Sequence, residues 1–139
     1  MKTRVLTLAS LLCLAFSALS AKPPKGFTAL FNGKDLKGWW GLKTEDPEKW
    51  MALSPEKLKE KRKASLVDVH KHWKVEDGIL INDGKGLYLS TLKNYSDFVL
   101  MLEYKTVAGA DSGIYLRGVP QVQIWDTSKE AGKWKLGAD

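Results

Sequence analysis

Ile114-Tyr115-Leu116-Arg117-Gly118-Val119-Pro120-Gln121-Val122-Gln123-Ile124-Trp125 is the stretch whose reading decides the fold class. Apolar and polar residues alternate on both sides of Gly118-Val119-Pro120. A period of two is that of a half-buried strand, and Gly and Pro punctuate a turn. Strands joined this closely pair antiparallel. Tyr115 and Arg117 then share a polar face with Gln121, Gln123 and Trp125, and Ile114, Leu116, Val122 and Ile124 share an apolar one.

The same grammar extends toward the N-terminus. Phe98 to Val107 is the longest strand candidate, with Phe98, Leu100, Leu102 and Tyr104 on one face and Val99, Met101, Glu103 and Lys105 on the other. Ala108 to Gly113 reads as a tight loop with Asp111 near its tip. Trp73–Glu76 and Ile79–Ile81 flank Asp77-Gly78, a two-residue hairpin signal. Leu87–Thr91 and Phe27–Phe31 read as further short strands, and Leu36–Trp40 as an extended path. After Asp126-Thr127 the chain becomes polar up to Asp139. Many short strands separated by Gly, Asn and Asp turns indicate an all-β sandwich.

Residues 45–72 break the pattern. Ser54-Pro55-Glu56 is a helix start: a hydroxyl at the cap, proline in the first turn, an acid beside the helix N-terminus. From Lys57 to Ala64 only Leu58 interrupts the polar run. This predicts one solvated surface helix inside an insertion. His70 and His72 would share one face of a strand as metal ligands, but no third ligand accompanies them, and two surface histidines is the plainer reading.

Residues 1–21 have the form of a secretory leader: Lys2 and Arg4, an apolar run from Val5 to Phe16, then small residues to Ala21. The expected location is therefore the periplasm or the exterior. Without the leader roughly 118 residues remain, the size of one domain. The formal charge drops from +6 to roughly +4, too weak to argue for a nucleic-acid partner. The sole cysteine, Cys13, leaves with the leader, so disulfides, a thiol nucleophile and a thiolate zinc site are excluded from the remainder. No later stretch reads as a membrane span, and the sequence does not speak to oligomeric state.

Where the three polar strand faces align, Glu103, Lys105, Tyr115, Arg117, Gln121, Gln123 and Trp125 meet on one side. Carboxylate, guanidinium and amide groups make directional bonds to hydroxyls, and an aromatic ring packs on the apolar face of a pyranose. Asp111 and Asp126 stand at the loop and strand ends beside this set. A solvated sheet face shows the same alternation, so the pattern alone leaves both readings open. Phosphate loops, nucleotide fingerprints and Ser-His-Asp arrangements are absent from the sequence.

Five blocks, in order, resemble the bacterial 3-keto-disaccharide hydrolase domain, also described as a 3-keto-glucoside lyase and 3-keto-2-hydroxy-glucal hydratase. They are Gly26 to Trp39, Trp73 to Gly78, Tyr95 to Phe98 with Leu102 to Lys105, Asp111 to Arg117, and Gln121 to Asp126. The resemblance implies a concanavalin A-like jelly-roll β-sandwich acting on sugars oxidised at C3. It also implies strands beyond those present, so the chain reads as the N-terminal part of a longer domain. Asp111 stands where family members often have Asn, Gln121 where they often have Glu, and the insertion at 45–72 is longer than the usual connection.

A ketone at C3 acidifies the C2 proton; a base removes it, the C1 substituent leaves, and water adds back. Glu103 is the expected base or a metal ligand, Arg117 the electrophile for the enolate, and Asp126 an acid or metal ligand. Lys105, Tyr115, Gln121, Gln123, Trp125 and Asp111 are expected to bind the sugar. The sequence establishes no cofactor, and a divalent cation is the alternative electrophile to Arg117. The other function classes are a non-catalytic carbohydrate-binding β-sandwich module and a cell-surface adhesion or scaffold role.

Overall fold

A computed structural model of the chain describes residues 23–128. The leader expected over 1–21 and most of the polar C-terminal stretch lie outside the described residues. The elements follow in the order β1 (Trp39–Leu42), α1 (Pro47–Met51), α2 (Pro55–His72), β2 (Trp73–Glu76), β3 (Ile79–Asn82), β4 (Tyr88–Thr91), β5 (Asp111–Tyr115) and β6 (Gln121–Trp125). The strands form three antiparallel pairs: β1 with β4, β2 with β3, and β5 with β6. The fold is thus β-rich, built from small antiparallel sheets with few helices.

Local chemistry explains these boundaries. Asp77 and Gly78 both adopt positive φ, 51° and 77°, as a two-residue turn matched to the strand twist requires. Ser54 caps α2 by accepting from the Lys57 N–H at 3.4 Å, and Pro55 occupies the first turn, where its missing N–H costs nothing. The helix does not stop at the polar run: it continues to His72, and its last turn carries His70, Lys71 and His72, the charge sign favoured at a helix C-terminus. His70 and His72 therefore stand roughly 200° apart around a helix, not on one strand face.

The core sits where α2 crosses β1. Trp40 is 1% exposed and Val69 0% exposed, with Leu36 and Ile124 also buried. Trp40 donates its indole N–H to the Thr91 carbonyl and meets the Trp50 ring edge-on at 5.6 Å. Gly41 is required at the crossing: a Cβ there would stand 2.7 Å from Leu87 Cδ1 and 2.8 Å from Val69 Cγ2. The Gly41 N–H is satisfied by Ser65 Oγ at 2.9 Å. Only Ser65 and Val69 are buried on α2, so it is largely a surface helix, as the polar run predicts.

Several expected strands do not form. Residues 27–31 carry no ladder, and neither does the longest candidate, Phe98 to Val107. A strand exists only with a hydrogen-bonded neighbour. The three described sheets hold two strands each, and 98–107 pairs with none of them. Phe98, Val99, Met101, Leu102 and Tyr104 are accordingly exposed. Asp111 to Gly113 belong to β5, not to the loop expected there. Arg117 is not on a strand but in the β5–β6 turn at φ 54°, a turn closed by the Leu116 N–H donating to the Pro120 carbonyl at 2.7 Å. No helix among the described residues is long and apolar enough to cross a membrane.

Candidate functional site

The β5–β6 register sets Asp111 opposite Trp125, Gly113 opposite Gln123 and Tyr115 opposite Gln121. Directly opposed residues lie on the same face of a ladder. Asp111, Tyr115, Gln121, Gln123 and Trp125 therefore gather on one side of the hairpin, while Ile124 turns the other way and is buried.

Asp111 organises this face. Its Oδ1 accepts from Gln123 Nε2 at 2.9 Å and from the Trp125 indole N–H at 2.8 Å. Gln123 Nε2 also donates to the Ser112 carbonyl at 2.6 Å. A carboxylate, an amide and an indole are thereby held in one small array. Gly113 makes room for the next member: a Cβ there would run into the Gln121 side chain, whose Cδ lies 2.7 Å from that point.

Of the remaining predicted residues, Glu103, Lys105 and Arg117 make no hydrogen bond to the array, whereas Asp126 borders it, its N–H donating to the Ala110 carbonyl at 2.9 Å beside the Asp111–Trp125 pair. Glu103 and Lys105 are exposed on the ladder-free segment 98–107. Arg117 is exposed at the turn end of the hairpin. Asp126 folds back at the opposite end, accepting from the Gly109 N–H at 2.7 Å and the Ser128 N–H at 2.9 Å. These backbone donors, Gly109 first, hold its carboxyl below the usual carboxylate range.

At the turn end Tyr115 meets residues that the sequence pattern does not single out. Its ring lies 5.4 Å from that of Tyr88, tilted by 35°. The Tyr88 hydroxyl shares a 2.9 Å hydrogen bond with Thr44 Oγ1. Thr44, Pro47, Tyr115, Gly118 and Val119 line a cleft of about 310 Å³. A larger cleft of about 550 Å³ lies between α2 and β1, lined by residues such as Trp39, Leu58, Arg62 and Leu92; it contains none of the predicted site residues. Only the alternation of the strand around Tyr88 offered any signal for the turn-end group, because Thr44 and Tyr88 are brought there by the β1–β4 pairing.

Three acids or histidines within reach of one point are the minimum that would hold a divalent cation. Among the described residues no such group exists. The ligand set for a metal is not assembled by these residues.

A family model for the 3-keto-alpha-glucoside-1,2-lyase-like domain matches residues 26–138. No curated protein and no solved structure matches the chain.

Proposed function

The chain belongs to the 3-keto-alpha-glucoside-1,2-lyase-like domain family, and from that premise we propose that it cleaves 3-keto-glycosides or 3-keto-disaccharides. The observation that carries the proposal to this chain's own residues is the Asp111–Gln123–Trp125 array on one face of the hairpin. Trp125 offers an apolar surface to the C–H face of a pyranose. Asp111 and Gln123 supply the acceptor and amide groups that fix sugar hydroxyls. Gln121 and Tyr115 extend that binding surface along the hairpin, and Lys105 is the cation proposed to meet the sugar from the segment 98–107. The proposed architecture is the concanavalin A-like jelly roll, which the antiparallel hairpins and short connections support. The proposed location is outside the cytoplasm, on the strength of the leader.

The chemistry follows from the C3 ketone. Glu103, which makes no hydrogen bond or ion pair among the described residues, takes the C2 proton. The C2–H electron pair delocalises onto the C3 oxygen as an enolate, and Arg117 supplies the compensating charge. The enolate collapses to restore C3=O and form C1=C2, and the C1–O bond breaks with its pair leaving on the departing alkoxide, which takes up the proton held on Glu103. Water then adds its hydroxyl to C1 and a proton to C2, giving net hydrolysis. Asp126 is held ionised by backbone N–H groups, which suits an anionic anchor better than a proton donor. No step is routed through a metal.

The test is turnover of a 3-keto-glucoside without added nucleotide. Glu103→Gln is expected to lower kcat at least 100-fold, the lower end for a general base, while sugar binding survives. Full activity in that variant removes Glu103 from the mechanism, and no turnover by the unmodified chain overturns the enzyme reading. One observation favours a second reading, a carbohydrate-binding module without catalysis: the binding array is assembled on the hairpin while Glu103 and Arg117 stand apart from it. That reading predicts sugar binding with no turnover.

A further inference from the structure

The β5–β6 hairpin is longer than one sugar ring. Asp111 and Tyr115 stand on the same face, four residues apart, which is roughly 13 Å of strand. A pyranose on the Asp111–Gln123–Trp125 array covers one end only. At the other end Tyr115 opens into the cleft of about 310 Å³ whose far wall is the segment Thr44 to Pro47.

That wall is fixed in place. Glu45 is held by Lys61 at 2.8 and 3.0 Å. Asp46 caps α1 by accepting from the Glu48 N–H at 3.0 Å. Gly118, at φ 84°, approaches so closely that a Cβ on it would stand 2.7 Å from Pro47 Cγ. The cleft therefore exists before anything enters it, and a preformed site spares the binding energy that ordering would consume.

Its lining has a sugar's mixed chemistry. Tyr115, Pro47 and Val119 offer apolar surface to a ring's C–H face. Thr44 brings a hydroxyl to the lining, and it shares one hydrogen bond with the hydroxyl of Tyr88, whose ring packs on that of Tyr115. One of the two protons is spent in that bond; the other remains to be donated, and both oxygens keep lone pairs. A sugar hydroxyl, both donor and acceptor, is the natural complement.

We propose that this cleft is a second sugar subsite, receiving the ring on the leaving-group side of the bond while the oxidised ring lies on the Asp111–Gln123–Trp125 array. The proposal rests on the reading of the hairpin face as a sugar site. It gives the 45–72 insertion a task, since the insertion supplies Glu45, Asp46 and Pro47. Two-ring substrates are then favoured over glycosides with a small aglycone.

The test uses the full chain with two probes, 3-keto-trehalose and methyl 3-keto-glucoside, and follows Tyr88 and Tyr115 by NMR of labelled tyrosines alongside turnover. The unmodified chain is expected to prefer the two-ring probe. Thr44→Val and the milder Tyr88→Phe are each expected to cut the two-ring to one-ring ratio of kcat/KM about tenfold. The tyrosine signals are expected to shift with trehalose and not with methyl glucoside. An unchanged ratio in both variants with no tyrosine shift overturns the subsite while leaving the enzyme reading intact. Absence of turnover with tyrosine shifts that Thr44→Val abolishes overturns the enzyme reading and supports the subsite. Absence of both overturns both.

Discussion

Among single residues, the aspartates show most directly how local donors set behaviour. The His72 ring nitrogen lies 3.0 Å from Asp83 Oδ2 and, with the Lys85 backbone N–H, holds Asp83 below the usual carboxylate range. Asp126 is lowered by the Gly109 and Ser128 N–H groups, and Asp35 by the Asn32 amide and the Lys37 N–H. A carboxyl depressed in the folded state binds fewer protons than in the unfolded chain as pH falls toward about 4, so its contribution is present above that pH and lost below it. The urea midpoint is therefore expected to fall as pH drops below about 4, and less steeply in Asp83→Asn. Equal slopes for the two proteins would remove Asp83 from the effect. The reach of sequence reading is also clearest here. Tyr115, Gln121, Gln123 and Trp125 were legible as one set because a period of two fixes a shared face, whereas Asp111, expected at a loop tip, joins them only because β5 begins there. Thr44 and Tyr88 were not, because they meet Tyr115 through a pairing of distant segments, which leaves no periodic trace.

Elements were legible in proportion to how local their causes are. The Asp77-Gly78 hairpin and the Ser54 cap depend on neighbouring residues, and both form where the sequence puts them. The segment Phe98 to Val107 has a clean two-residue period, yet that period says only which way side chains would point once a partner exists. Helix α2 tests the opposite case, an element with little to bury. Its docking to β1 rests on Val69 and on Ser65, whose hydroxyl accepts from the buried Gly41 N–H and donates to the Arg62 carbonyl at 2.7 Å. Ser65→Ala leaves that N–H unpaired, a loss of about 1–3 kcal/mol. The melting temperature is expected to fall by about 4–8 °C per kcal/mol, the scaling of a domain this size. Calorimetry checks this, and an unchanged transition would mean that α2 docks without the Ser65 hydrogen bond, through Val69 and the Arg62 guanidinium over the Trp40 ring.

Taken whole, the described structure buries little. Four large apolar side chains are buried and sixteen are exposed, and two buried donors, Trp39 Nε1 and Arg62 Nε, have no acceptor. Stability is correspondingly uneven, greatest at the α2–β1 crossing and least where backbone groups lack ladder partners. The ladder-free course of residues 98–107 carries a practical consequence. A protease grips its substrate as an extended, unpaired stretch, and helices and paired strands must open before they can be gripped. Lys105 sits exposed inside the longest run without a ladder, whereas the lysines of α2 are protected by helical hydrogen bonds. Brief trypsin digestion is expected to cut after Lys105 before any bond inside α2. Mass spectrometry of the first fragments reads this directly, and a first cut inside α2 would reverse the ranking. The nick falls between Glu103 and the β5–β6 hairpin, separating the proposed base from the proposed sugar face in a single step.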